Sequence, residues 1–180
     1  MWNKPPEKKE HVATGDKIIP VEISPGFYAL DLALYIPFED CLILGDLQLG
    51  LEEHYNSQGV FVPRFNFREV KQHLQRIFNS HTHFTTIFLN GDIKHGFGQA
   101  NNQEWREVIQ LLELLSEHAD KIIIIKGNHD IALEPIARCA KVKLEKEGGG
   151  LDTIHTYVCH GHEIPSAKNE KFGRAKTIII

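Results

Sequence analysis

The sequence predicts an α/β chain: two packed mixed β-sheets flanked by helices. Three observations carry the prediction. Cys41–Leu44, Thr85–Leu89 and Lys121–Ile125 are short, nearly continuous apolar runs of strand length. The stretches between them place apolar residues at helical spacing. Hairpin-like strand pairs add to this alternation at both ends of the chain. Continuous apolar strands alternating with amphipathic helices mean βαβ units and sheets covered on both faces.

Taken in order, residues 1–17 read as a polar leader and 18–180 as one domain. Ala29–Ile36 reads as a single strand, turned by Pro37, Glu39 and Asp40 into Cys41–Leu44 as a hairpin. Glu52–Arg64 reads as a polar loop. Asn66 is an N-cap candidate with Glu69 three residues on, and Val70, Leu74, Ile77 and Phe78 form one stripe. Asn101 or Asn102 caps a second helix running to His118, with Trp105, Val108, Ile109, Leu112 and Leu115 facing the core. Glu134–Ala140 is a short helix opened by Pro135, and Val142–Leu144 a brief strand. Gly148–Gly150 is a turn into a last strand pair, Thr153–Cys159 and a buried, central Ile178–Ile180.

With 180 residues, 42% hydrophobic and 24% charged, the chain has a globular composition and enough length for a core without disulfides. No apolar run approaches the ~18 residues of a membrane-spanning helix. The leader has no apolar h-region, so a cytoplasmic location is expected. Cys41, Cys139 and Cys159 form no CxxC pair, and Cys41 and Cys159 fit buried thiols. A net charge of −4 excludes a broad basic surface for gripping nucleic acid by counterion release.

The chemistry gathers where the strands end. Cys41–Leu44 runs into Gly45-Asp46-Leu47-Gln48, Thr86–Leu89 into Asn90-Gly91-Asp92, Ile122–Ile125 into Gly127-Asn128-His129-Asp130, and Thr156–Cys159 into His160-Gly161-His162. Each repeats a strand followed by a glycine-adjacent turn with Asp, Asn or His, and open α/β sheets collect their sites at strand carboxyl ends. Carboxylates suit hard divalent ions, and imidazole suits Mn, Fe, Zn or Ni.

This series resembles the calcineurin-like metallophosphoesterase superfamily. GDLQLGLEE, VPRFNF, LNGDIKH and CHGHEIP are similar to the small archaeal phosphoesterases related to Mre11 and SbcD. The resemblance implies a four-layer α/β sandwich and two divalent ions, manganese first, with Fe, Zn or Ni as alternatives. It implies that Asp92 bridges both ions, Asp46 binds the first, and Asn128 and His160 bind the second. His129 faces the scissile phosphate as the catalytic residue without touching metal. The substrate implied is a phosphate ester, such as DNA or a nucleotide.

Two departures stand out. Gln48 occupies the position where the superfamily has histidine; if the strand continues, alternation points it with Asp46 as a weaker metal ligand. The superfamily closes its site with a Gly-His-x-His turn after one more strand, and here the sequence ends at Ile178–Ile180, as though truncated before those histidines. His162, two residues from His160, is a candidate substitute. His95 is expected at the pocket mouth, with Lys94 and Arg64 as weaker phosphate contacts and Asp130 as a supporting residue. His11, His54, His73, His81, His83, His118 and His155 read as surface or turn residues. The leading reading is a metal-dependent phosphoesterase acting on diesters or monoesters. Its rival is a non-catalytic, protein-binding scaffold with an incomplete metal site.

Overall fold

The protein is described by a computed structural model covering residues 18–130, 132–151 and 155–180. The leader, His11 and the start of the expected Thr153–Cys159 strand lie outside the described residues. The first sheet opens as an antiparallel meander of β1 (Val21–Ser24), β2 (Phe27–Leu30), β3 (Ala33–Ile36) and β4 (Cys41–Leu44). Two helices follow, α1 (Leu51–Ser57) and α2 (Asn66–Ser80). Then come β5 (Phe84–Asn90), α3 (Asn102–Ser116), β6 (Ala119–Ile125), α4 (Glu134–Cys139) and β7 (Lys143–Glu145). From β4 to β7 all pairings are parallel, so the seven-stranded sheet is mixed and runs in chain order. A second sheet holds β8 (Gly149–Leu151), β9 (Thr156–Val158) and β10 (Thr177–Ile179), with α5 (Glu170–Arg174) between the last two strands.

Strand parity builds two cores. Leu42, Leu44, Ile87, Leu89, Ile122 and Ile124 point toward α2, α3 and α4, where they meet Leu74, Ile77, Leu111, Leu115 and Ile136. Their neighbours Cys41, Ile43, Phe88, Ile123 and Ile125 point the other way, onto Leu151 and Val158 of the second sheet. Each fully buried side chain of this size contributes roughly 1.5–3 kcal/mol. On the far side of the second sheet, Tyr157 packs on Phe172 of α5 with ring centroids 5.3 Å apart. The order helices, sheet, sheet, helix is the predicted α/β arrangement. Both Cys41 and Cys159 are buried thiols.

Several expectations are corrected. Ala29–Ile36 is two strands, because Asp31 takes a left-handed φ of 56° and its carboxylate binds His73 and Arg76 of α2. The glycine run is partly strand: Gly149 lies so close to Phe88 that a Cβ would sit 2.7 Å from the ring. Trp105 is exposed, since the first turn of α3 turns Gln103 and Glu104 toward neighbouring loops instead. Ile178–Ile180 is neither central nor buried; β10 is the edge of its sheet among the described residues, and Ile178 is 47% exposed.

The expected polar loop after Glu52 starts as α1, with Glu52 and Glu53 favourably placed near its positive N-terminal end. Glu52 is buried, and its carboxylate accepts from the backbone N–H groups of Phe65 (2.9 Å) and Asn66 (2.7 Å). A residue 14 positions away therefore caps α2. Asn66 is not the side-chain cap; it donates to the carbonyls of Leu47 and Gln48 and braces that loop. Burial alone would raise the Glu52 pKa, but the N–H groups of Asn66 and Phe65 and the Gln103 amide outweigh it and hold the carboxyl below its ordinary value.

A carboxyl with a folded pKa below its unfolded one stabilises fully above the unfolded value and loses that contribution as pH falls through the folded one. Glu52→Ala is therefore expected to cost about 2–3 kcal/mol at neutral pH, the scale of hydrogen bonds to a charged group. Urea unfolding across pH should show the gap from the parent chain narrowing through the acidic carboxylate range. A gap that stays constant down to strong acid would refute the charged-cap account.

Candidate metal centre

Four loops meet at the carboxyl ends of β4, β5, β6 and β9. Backbone bonds zip the first two together: Asp46 N–H donates to the Gly91 carbonyl (3.2 Å), Gln48 N–H to Asp92 (3.0 Å) and Leu49 N–H to Ile93 (2.8 Å). Asp130 ties in the third loop. It is wholly buried, and its carboxylate accepts from the N–H groups of Ile93 (3.1 Å), Lys94 (3.4 Å) and Gly127 (3.0 Å). Asn90 ties in the fourth: its amide donates to the Cys159 carbonyl (3.1 Å), and its own carbonyl accepts from His160 Nδ1 (3.2 Å).

Asp46, Gln48 and Asp92 adopt left-handed φ values of 52°, 50° and 47°. Such a conformation is tolerable for Asp but unusual for Gln, and it collects at functional sites. The strand therefore does not extend to Gln48, and alternation is not what places it. Two glycines make the close packing feasible. A Cβ on Gly127 would lie 2.3 Å from Asp92 Oδ1, and one on Gly91, itself at φ 77°, would lie 2.4 Å from the His160 ring.

Ligand atoms of Asp46, Asp92 and His160 lie within 4.8 Å of one another. With Nδ1 donating to Asn90, His160 turns Nε2 toward Asn128 Oδ1 (3.2 Å) and Asp92 Oδ1 (3.4 Å). An imidazole nitrogen, an amide oxygen and carboxylate oxygens gather around one space, and these are ligand types that divalent cations take. This donor set fits Mn, Fe, Zn or Ni. An imidazole fixed by a carbonyl at its other nitrogen is also how protein histidines are aimed at metals.

Asp92 Oδ2 faces a different set. Gln48 Nε2 donates to it at 3.3 Å, and His129 Nε2 stands 3.7 Å away. The Gln48 amide oxygen is engaged by His95 Nδ1 at 2.8 Å. His95 is partly buried, and burial, followed by the neighbouring His54 and His129, pushes its pKa down. His129 is fixed twice: its backbone N–H donates to Asp92 Oδ1 (3.1 Å), and its Nδ1 donates to the His95 carbonyl.

The remaining candidates divide. Lys94 is buried, with its ammonium on the Gly96 carbonyl, so it does not reach substrate. Arg64 is exposed and paired with Glu53 at 2.8 Å. His162 is exposed, its ring 5.3 Å from that of His160, and is not part of the Asp46–Asp92–His160 group. It lines a hollow of about 380 Å³ with Lys126, Lys146 and Asn128. His54 is on the surface as expected, but its ring is 4.9 Å from His95, beside the site. Sequence reasoning did not single out Phe97, whose ring lies 3.6 Å from that of His129. The available signal was a lone aromatic between two glycines, Gly96-Phe97-Gly98.

Gly127→Ala should force Asp92 or its loop to move, at about 1–3 kcal/mol for an overpacked buried position. Urea unfolding of the variant reads this directly, and unchanged stability would mean the loops yield without strain.

Comparison with known proteins bears on the fold and the family. No curated protein matches the sequence. The crystal structure of Pseudomonas putida nuclease MPE is similar in fold, with a TM-score of 0.61 at 18% identity, covering 84% of this chain and 69% of that one. No helix among the described residues is long and apolar enough to cross a membrane. Residues 41–178 match the family described as calcineurin-like phosphoesterase, spanning all four site loops, and the chain belongs to that family.

Proposed function

We propose that the chain hydrolyses phosphodiesters with two divalent ions, manganese first, and that within its family it belongs with the phosphoesterases related to Mre11 and SbcD. The observation that carries this reading is the position of Asp92. One of its oxygens faces the His160 ring, and the other faces the Gln48 amide and the His129 ring. A carboxylate with each oxygen turned to a different group is suited to join two metal positions. Asp46 would hold one ion with support from Gln48, and Asn128 and His160 would hold the other. When bound, the ions lower the pKa of the attacking water and offset charge on the phosphoryl oxygens. A nuclease among the structures of similar fold favours diesters, including nucleic acid.

The chain's own groups do the rest. His160 keeps its Nδ1 proton on the Asn90 carbonyl and so presents Nε2 as a ligand. His129 keeps its Nδ1 proton on the His95 carbonyl, which leaves Nε2 as the atom that, when protonated, gives its proton to the leaving oxygen. A positioned acid of this kind supplies ~10²–10⁴ in rate. Buried Asp130 holds the loops in register and contacts no substrate.

Asp92→Asn should lose both ions. His129→Ala should keep them and lose ~10²–10⁴ in turnover of bis-p-nitrophenyl phosphate with Mn²⁺. Metal content by mass spectrometry beside the assay is the test; metal loss in His129→Ala would make that residue a ligand. Faster hydrolysis of the monoester would shift the reading to a phosphatase. Bound ions with neither ester cleaved would favour the scaffold.

Gln48→His offers a second check. An imidazole in place of an amide whose oxygen is taken up by His95 should tighten divalent binding in titration calorimetry. Unchanged affinity would put position 48 off the metal.

A further inference from the structure

We propose that Phe97 is a stacking platform for a nucleobase of the substrate, which makes the natural substrate a nucleotide ester or single-stranded nucleic acid. The inference rests on the phosphoesterase reading above.

Phe97 is 61% exposed beside the site. Its ring lies 3.6 Å from the His129 ring at an interplanar angle of 32°, and His129 Nε2 is 3.7 Å from Asp92. A ring joined to a phosphate at Asp92 through one sugar is therefore within reach of Phe97. The rings continue along the rim. His95 follows His129 at 5.8 Å, with His54 at 4.9 Å and Tyr55, 41% exposed, at 6.5 Å from His95.

The platform is held in place by two buried charged residues. Glu104, 1% exposed, accepts from the Gly96 N–H at 2.7 Å while its other oxygen closes the capping box of α3 on Asn101. The ammonium of fully buried Lys94 donates to the Gly96 carbonyl. Both backbone groups of the residue before Phe97 are thus pinned from the interior, although the ring itself is in solvent. A preset aromatic loses little freedom when it binds a flat partner. Stacking accepts any base, because every base has a π-face.

The test is fluorescence anisotropy with dye-labelled oligothymidylate and with the same deoxyribose-phosphate strand lacking bases. Calcium replaces manganese so that binding is read without turnover. The parent chain should bind the base-bearing strand about tenfold more tightly, within the range for one stacked base. In Phe97→Ala this ratio should fall toward one, and in Phe97→Trp it should return. A parent chain that binds both strands equally, or a ratio that survives in Phe97→Ala, overturns the proposal even if bis-p-nitrophenyl phosphate is hydrolysed. A chain that distinguishes the strands through Phe97 but cleaves no phosphoester keeps the stacking site and loses the phosphoesterase reading.

Discussion

A single buried carboxylate, that of Asp130, holds the centre together. Among the described residues no cation pairs with it, and it is wholly buried, so backbone N–H groups satisfy it. Burial raises its pKa; the N–H groups of Gly127, Lys94 and Ile93 oppose that, and the charge of Asp92 adds to it. Those same N–H groups belong to the loops that carry Asp92, Asn128, His129 and the Gly96 anchor. The last residue of the Gly-Asn-His-Asp run thus does structural work for the two before it. An uncompensated carboxylate at this depth would cost several kcal/mol, so the loops are held to one arrangement.

The second sheet matters to the site mainly through one residue. β9 brings His160 against Asp92, and the junction is Asn90, which bonds to Cys159 with its side chain and to His160 with its carbonyl. Three loops of the large sheet supply carboxylates and amides, and the small sheet supplies imidazole. The mixed donor set follows from packing one sheet on the other.

The strands, the long helices and the four site loops were legible because each carries its own local signal: continuous apolar runs, helical periodicity, and polar residues at abrupt strand ends. Interactions between distant residues were not. The Asn66 cap looked complete from local sequence, yet Glu52 does that work from 14 residues away. Trp105 fitted the apolar stripe of α3, but the first turn of that helix is occupied with the loops around Gly96 and Glu52. Gln48 was expected to point by strand alternation; it reaches Asp92 through left-handed backbone after the strand has ended. Ile178–Ile180 read as interior strand, since three isoleucines imply burial on both faces, whereas β10 pairs on one side only among the described residues.

The alternation that divides β4, β5 and β6 between two cores also bears on how this gene can vary. In a strand with one solvated face, a deleted residue can sometimes be absorbed by exchanging a buried side chain for a wet one. Here Ile122–Ile125 has no wet face, so losing one codon would send each side chain beyond the deletion into the opposite core. It would also rotate Asn128 and His129 out of step with Asp92. Insertions and deletions should therefore be confined to segments outside these strands and their loops, while change at the site proceeds by substitution.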